Sequence, residues 1–273
     1  MPEFDFARCA TQGARHYQED SATVLPSGDD AQPVSSADRA SGGGGGGGTL
    51  IAVLADGMGG HAGGALASRT VCERFVGTCA NRNGPVPERL FAALEAANAA
   101  VADTVDANPM LSGMGSTLVG TVFSEAGVQW ISVGDSPLLL FRRGEIALLN
   151  EDHSLAPELD RLVEAGHMTA EEAHRDPRRH MLRSAVTGDE IDLVDVSLKP
   201  LQLEPGDYVI LASDGLHTLQ TAEIARIVSA YGGDGAEAVA SALIREVEAM
   251  REPHQDNATV IAVRLKPDLA DSA

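Results

Sequence analysis

Residues 49–57 read TLIAVLADG, an apolar and β-branched run that stops at an aspartate and a glycine. Two further runs end the same way: VQWISVGDS over 128–136 and DYVILASDG over 207–215. A fourth, QDNATVIAVRL over 255–265, carries its aspartate at the front. Each run has the length and composition of a buried strand. A carboxylate at a strand end is held in place without deep burial. One such aspartate is a common loop starter. Four suggest carboxylates brought together, and such a cluster repels itself unless a cation sits in it.

The candidate ligands Glu19, Asp20, Asp56, Asp135, Asp214 and Asp256 are all oxygen donors. No Cys/His cluster has zinc spacing; the nearest candidate is His61, five residues after Asp56. Carboxylates with water and backbone carbonyls suit Mg²⁺ or Mn²⁺. An aspartate bridging two such ions about 4 Å apart is a common device for activating water. Gly57, with no side chain, can turn its carbonyl toward a metal. Arg15 lies four and five residues before Glu19 and Asp20. Its planar fork matches the oxygens of a phosphate. The alternative is a surface ion pair with Glu19 or Asp20.

The chain has 273 residues and is 44% hydrophobic, enough for a full core. Its net charge of -20 argues against nucleic acid and against anionic membrane surfaces. Three cysteines, Cys9, Cys72 and Cys79, make a poor disulfide framework and suit a reducing compartment. Cys72 and Cys79 read as small packed hydrophobes. No apolar stretch approaches the roughly 20 residues that span a bilayer. The opening MPEFDFARCATQGAR lacks a basic-then-apolar signal pattern, so a cytoplasmic protein is expected.

Strands are expected within 1–25 and over 49–55, 115–123, 127–134, 137–143, 145–149, 192–199, 207–213 and 257–265. Helices are expected over 64–80, 87–107, 221–231 and 234–251. Residues 26–48, with seven consecutive glycines from Gly42 to Gly48, read as a flexible insertion between two strands. No Lys-Ser/Thr follows the glycines, which argues against a phosphate-binding P-loop. Short helical pieces interrupt the sheet pattern over 150–183, and the tail, 266–273, is expected to fray. Strict strand–helix alternation is missing, so antiparallel sheets with helix pairs outside fit better than a doubly wound parallel sheet.

Six motifs in order, GARHYQED, LADGMGGHAGG, GMGSTL, SVGDS, LASDGL and QDNATVIAV, resemble the metal-dependent serine/threonine protein phosphatases (type 2C, the PPM class). The resemblance is to their bacterial single-domain members and runs from about residue 8 to 265. It implies an α+β fold, a four-layer α-β-β-α sandwich with the metals at one end, and one phosphatase domain over 1–265 with a flap over 150–183. It implies that Asp56 bridges two Mn²⁺ or Mg²⁺ ions and that the Gly57 carbonyl binds one of them. Asp214 and Asp256 would complete the second, with Glu19 close by and Asp20 holding coordinated water. Asp135 would join Asp214 around a weaker third ion, with the flap carbonyl of His180. Arg15 matches the phosphate-binding arginine, and His61 is the candidate general acid.

The activity so implied is hydrolysis of phosphoserine and phosphothreonine in proteins by water activated between the ions. The expected partners are phosphoprotein substrates and a cognate serine/threonine kinase or its targets, and a monomer is expected. Two rivals keep the same motifs: a non-catalytic signalling module, and a phosphatase for one small phosphorylated regulator. The family motif usually reads Gly-Asp-Ser-Arg, whereas this chain has Pro137 after Gly134-Asp135-Ser136. His153 is expected to fix the chain entering the flap. Arg175, Arg178, Arg179 and Arg183 read either as a face paired with Glu171 and Glu172 or as a dock for acidic phosphoprotein segments.

Overall fold

The structure, a computed structural model, describes residues 3–26, 34–35, 40–44, 48–60 and 62–266. The chain begins with β1 (Phe4–Thr11), β2 (Ser21–Pro26), β3 (Val34–Ser35), β4 (Ala40–Gly44), β5 (Leu50–Ala55) and β6 (Gly57–Met58). Helices α1 (Ala62–Asn81) and α2 (Val86–Ala107) follow. Then come β7 (Gly115–Ser116), β8 (Leu118–Ser124), β9 (Gly127–Val133), β10 (Leu138–Arg142) and β11 (Glu145–Leu148). After the short helices α3 (Ala156–Glu164) and α4 (Ala170–Arg175) come β12 (Asp195–Val196) and β13 (Tyr208–Ala212). Helices α5 (Thr221–Tyr231) and α6 (Ala236–Met250) and strand β14 (Ala258–Leu265) complete it.

Two antiparallel sheets stack face to face. One has the order β11-β10-β13-β14-β1-β4 and the other β12-β9-β8-β5-β2-β3. The run at 50–55 is apolar throughout because both its faces are covered. Leu50, Ala52 and Leu54 point inward, into one core with Val209, Leu211, Ile261 and Val263 of the facing sheet. Ile51, Val53 and Ala55 point outward against Val71, Phe75, Leu90 and Leu94 of α1 and α2. On the other sheet, Ile210, Ala212, Val260 and Ala262 pack outward on Ile224, Ile227, Leu243 and Ile244 of α5 and α6. Three cores therefore separate four layers, α-β-β-α. Phe75 seats its ring over Gly120, where an added Cβ would lie 2.2 Å from the ring. Its truncation to alanine costs about 3–5 kcal/mol.

Antiparallel register gathers the site. Ser21 lies beside Ala55, Leu118 beside Val133, Ala212 beside Val260 and Thr11 beside Ala258. The segments carrying Arg15, Asp20, Asp56, Asp135, Asp214 and Asp256 all leave the sandwich near these paired strand ends.

Two expectations change. The glycine run was read as a flexible loop in an insertion between two strands, yet Gly42, Gly43 and Gly44 pair with Phe6, Asp5 and Phe4. An edge ladder is made by backbone groups alone, so glycine's missing side chain does not prevent it. The strand expected over 192–199 shrinks to Asp195–Val196, paired with Ser132 and Ile131. That segment sits at a sheet edge. Most of the tail, 267–273, lies outside the described residues. Cys9, Cys72 and Cys79 are buried free thiols. Among the described residues, no helix is long and apolar enough to cross a membrane.

Candidate metal centre

Asp20 opens β2 and is 8% exposed. Its Oδ2 accepts from Ser213 Oγ at 2.8 Å and from Thr259 Oγ1 at 2.7 Å, so a side chain of one sheet is tied to both neighbouring strands of the other. Asp56 follows β5. Its N–H donates to Thr117 Oγ1 at 2.9 Å, and its carbonyl accepts from Ser116 Oγ at 2.8 Å. Asp214 opens a 3-10 turn directly after β13 and Ser213. Asp256 precedes β14, and its Oδ1 accepts the Asn257 N–H at 2.8 Å.

These acids act on one another. Burial, then Asp20, Asp214, Asp135 and Asp256, push the Asp56 carboxyl well above the usual carboxylate range. Burial raises Asp20 to about 7 against the pull of its Thr259 and Ser213 hydrogen bonds. Asp135 is also pushed up to about 7, by burial and then by Asp214 and Asp152. Asp214 is raised by burial and by Asp256, opposed by His217, by a hydrogen bond with Asp56 and by His180. The cluster is thus under-neutralised by protein groups.

Three observations test the fit of a divalent cation. Asp20 Oδ1 and Asp214 Oδ1 are buried and have no hydrogen-bond partner among the described residues. Such oxygens are costly unless something positive meets them. Second, Gly64 in α1 leaves a cradle: a Cβ there would lie 2.6 Å from Glu19 Oε1 and 3.0 Å from the Gly57 carbonyl oxygen. Third, the donors are all oxygens. Oxygen donors suit Mg²⁺ and similar hard ions, although among the described residues no group of three or more His, Cys, Asp or Glu is placed so as to hold one. The residues present fit the group.

Arg15 stands over the acids on the loop after β1. It donates to Asp256 Oδ2, with the two side chains 52% and 36% exposed. The ion pair weighed as the alternative to a phosphate-binding role is made with Asp256, because the loop folds back onto β14. Asn257 makes that fold: its Oδ1 accepts the Glu19 N–H at 2.7 Å, and its Nδ2 donates to the Gln12 and Tyr17 carbonyls at 2.8 and 3.0 Å.

The Gly134-Asp135-Ser136 turn is fixed without the usual arginine. Ser136 Oγ bonds Thr117 Oγ1 at 2.8 Å, Asn150 Nδ2 donates to the Ser136 carbonyl at 3.0 Å, and the Pro137 carbonyl accepts the Ala212 N–H at 3.0 Å. His153 is buried beside it. His180 is exposed, and its effect on Asp214 places it near the cluster. His61 lies outside the described residues. The arginine run is paired within its own segment: Arg175 with Glu171, Arg178 with Asp176, Arg179 with Asp160 and Arg183 with Glu158. That is the paired face, with Asp176, Asp160 and Glu158 as partners where Glu172 was expected.

Sequence reasoning did not single out Ser213, Thr259, Thr117, Gly64 or Asn257. Ser213, Thr259, Gly64 and Asn257 share a motif with an aspartate, whereas Thr117 lies in GMGSTL, which has none.

A family model described as protein phosphatase 2C matches residues 34–241. The chain belongs to this family. It is 37% identical over 164 residues to the serine/threonine protein phosphatase PstP of Mycobacterium tuberculosis, a stretch covering 60% of this chain and 31% of that protein. The chain thus matches about a third of the length of that relative. The serine/threonine phosphatase Stp of Listeria monocytogenes is 31% identical over 207 residues, 74% of this chain and 73% of that protein. The crystal structure of the PstP catalytic domain in complex with two manganese ions superposes with a TM-score of 0.73 at 27% identity. That superposition covers 98% of this chain and 100% of the other. The shared fold puts the four-layer sandwich of this protein 2C-type chain on the same plan.

Proposed function

We propose that the chain hydrolyses phosphoserine and phosphothreonine in proteins, with Mn²⁺ or Mg²⁺ bound by the aspartate cluster. The observation that carries this reading is the set of crowded, mutually repelling carboxylates, Asp20 buried and the others half-buried, two with unpartnered oxygens, under an arginine whose ion pair with Asp256 is solvent-exposed. Asp56, Asp214, Asp256 and the Gly57 carbonyl would hold two ions, with Glu19 and Asp20 facing the same space and Asp135 serving a third. The His180 carbonyl would join that third site. When bound, the ions supply Lewis acidity toward water and toward the phosphoryl oxygens.

The chain's own residues do the rest. An ion pair as exposed as Arg15–Asp256 is worth little, so the guanidinium can exchange Asp256 for a phosphate at small cost. Its fork then holds two equatorial oxygens while the ester lies in line for attack. Thr259 and Ser213 fix the Asp20 carboxylate, and Thr117 fixes the Asp56 backbone, so the acids do not have to reorganise as charge develops. Residues 1–265 act as one domain in this reading, and 150–183 form its flap. The setting is cytoplasmic signalling, opposed to a serine/threonine kinase, with the protein acting as a monomer. Stp and PstP, named as serine/threonine phosphatases, support it.

The test is purified protein with Mn²⁺ on an aryl phosphate and on phosphoserine and phosphothreonine peptides. Turnover that needs Mn²⁺, stops with chelator and vanishes in Asp56→Asn is expected. Turnover insensitive to chelator would refute the metal-dependent reading.

A further inference from the structure

We propose that His153 is a positioning residue that couples the 150–183 segment to the aspartate cluster. The inference rests on the metal-dependent reading of that cluster. The two legs of the segment are paired: Ser154 bridges Leu182, the Leu155 N–H donates to the Met181 carbonyl at 3.0 Å, and the Arg183 N–H donates to the His153 carbonyl at 2.8 Å. His153 then turns to the cluster with its other groups. Its N–H donates to the Gly134 carbonyl at 3.1 Å, and its Nδ1 accepts the Gly134 N–H at 3.2 Å. Both polar groups of Gly134 are therefore engaged by one residue.

Gly134 cannot slide. Its φ is +103°, and a Cβ there would lie 2.7 Å from Thr117 Cγ2. Thr117 in turn holds the Asp56 N–H and Ser136 Oγ through its one hydroxyl. A continuous chain of contacts thus runs from Met181–Arg183 through His153, Gly134 and Thr117 to Asp56, with Asp135 inside it. The ring supplies what no apolar side chain could: an acceptor for a buried N–H that would otherwise go unpaired. Outer groups that orient ligands typically govern metal affinity or activity by about 10- to 100-fold.

His153→Phe keeps the bulk and removes the acceptor; His153→Asn keeps an acceptor near the Nδ1 position. Hydrogen exchange, Mn²⁺ titration calorimetry and aryl phosphate kinetics are read on both. The Phe variant should exchange faster at 132–136 and at 181–183, with the other strands unchanged. It should bind its weakest Mn²⁺ about 10- to 100-fold less tightly and lose kcat more than KM. The Asn variant should recover most of each. In the wild-type chain, Mn²⁺ should slow exchange at 132–136 and 181–183 together, a readout that needs no variant to fold. Unchanged exchange and Mn²⁺ affinity in the Phe variant, equal damage in both variants, or protection of only one of the two segments would overturn the coupling. A wild-type chain that hydrolyses no phosphate ester would instead count against the proposed function, and exchange in the two variants would still decide the coupling.

Discussion

The side-chain carbonyl of Asn257 accepts the Glu19 N–H at 2.7 Å across 238 positions of sequence. The same amide holds the carbonyls of Gln12 and Tyr17. One buried side chain therefore shapes the whole loop that carries Arg15 and Glu19. Asn257→Ala removes three hydrogen bonds and strands their partners, which should destabilise the protein by about 2–4 kcal/mol. Urea unfolding measures that loss. The KM for an aryl phosphate should rise as well, since Arg15 is no longer aimed.

The acids predict how stability depends on pH. Asp20 and Asp135 sit near 7 in the folded chain, against about 3.9 for an unfolded aspartate. Between those values the folded state holds protons that the unfolded state has released. Their contribution to stability is therefore greatest below about 4 and falls as pH rises toward 7, by up to about 1.4 kcal/mol per pH unit for each such group. Unfolding midpoints in chelator at pH 5, 6, 7 and 8 should show this fall. With Mn²⁺ present the slope should flatten, because the cation compensates the carboxylates that have lost their protons.

Asp56, Asp135, Asp214 and Asp256 were legible because each stands at the end of an apolar run, as TLIAVLA before Asp56 and YVILAS before Asp214 show, whereas Glu19 and Asp20 follow the polar stretch ARHYQ. The groups that orient those acids were not legible, since they come from register. Ser213 reaches Asp20 across 193 positions and Thr259 reaches it across 239. Proximity in sequence did not reveal the carboxylate that Arg15 meets, Asp256, which lies 241 positions away. The 192–199 run failed as a strand for a similar reason. Strand composition needs a regular ladder along its length, and here the ladder is confined to Asp195–Val196, with Ser197 adding a hydrogen bond to Trp130.

Gly64 gives a test of the cradle. A methyl there would meet Glu19 Oε1 at 2.6 Å and the Gly57 carbonyl oxygen at 3.0 Å, the two groups that face the same space. Alanine is a better helix former than glycine, by about 1 kcal/mol in a helix interior, so α1 itself should not suffer. Gly64→Ala should keep the fold yet weaken Mn²⁺ binding by about 10-fold or more. Calorimetric titration together with far-UV dichroism separates the two effects.

Asp56→Asn should move stability and activity in opposite directions. Asp56 is buried among Asp20, Asp214, Asp135 and Asp256, each of which raises its pKa. An amide of the same shape removes one charge from that repulsion, so the metal-free variant should melt higher than the metal-free parent at pH 7–8. The gain should shrink as the pH falls and the parent's Asp56 takes up a proton, since its pKa is raised. Activity should go the other way: losing several kcal/mol of charge stabilisation corresponds to a fall on the order of 10³-fold in turnover. Scanning calorimetry in chelator and aryl phosphate assays with Mn²⁺ check both halves. A variant that melts lower and stays active would mean that Asp56 is a structural acid, held by Thr117 and Ser116 for packing rather than for an ion.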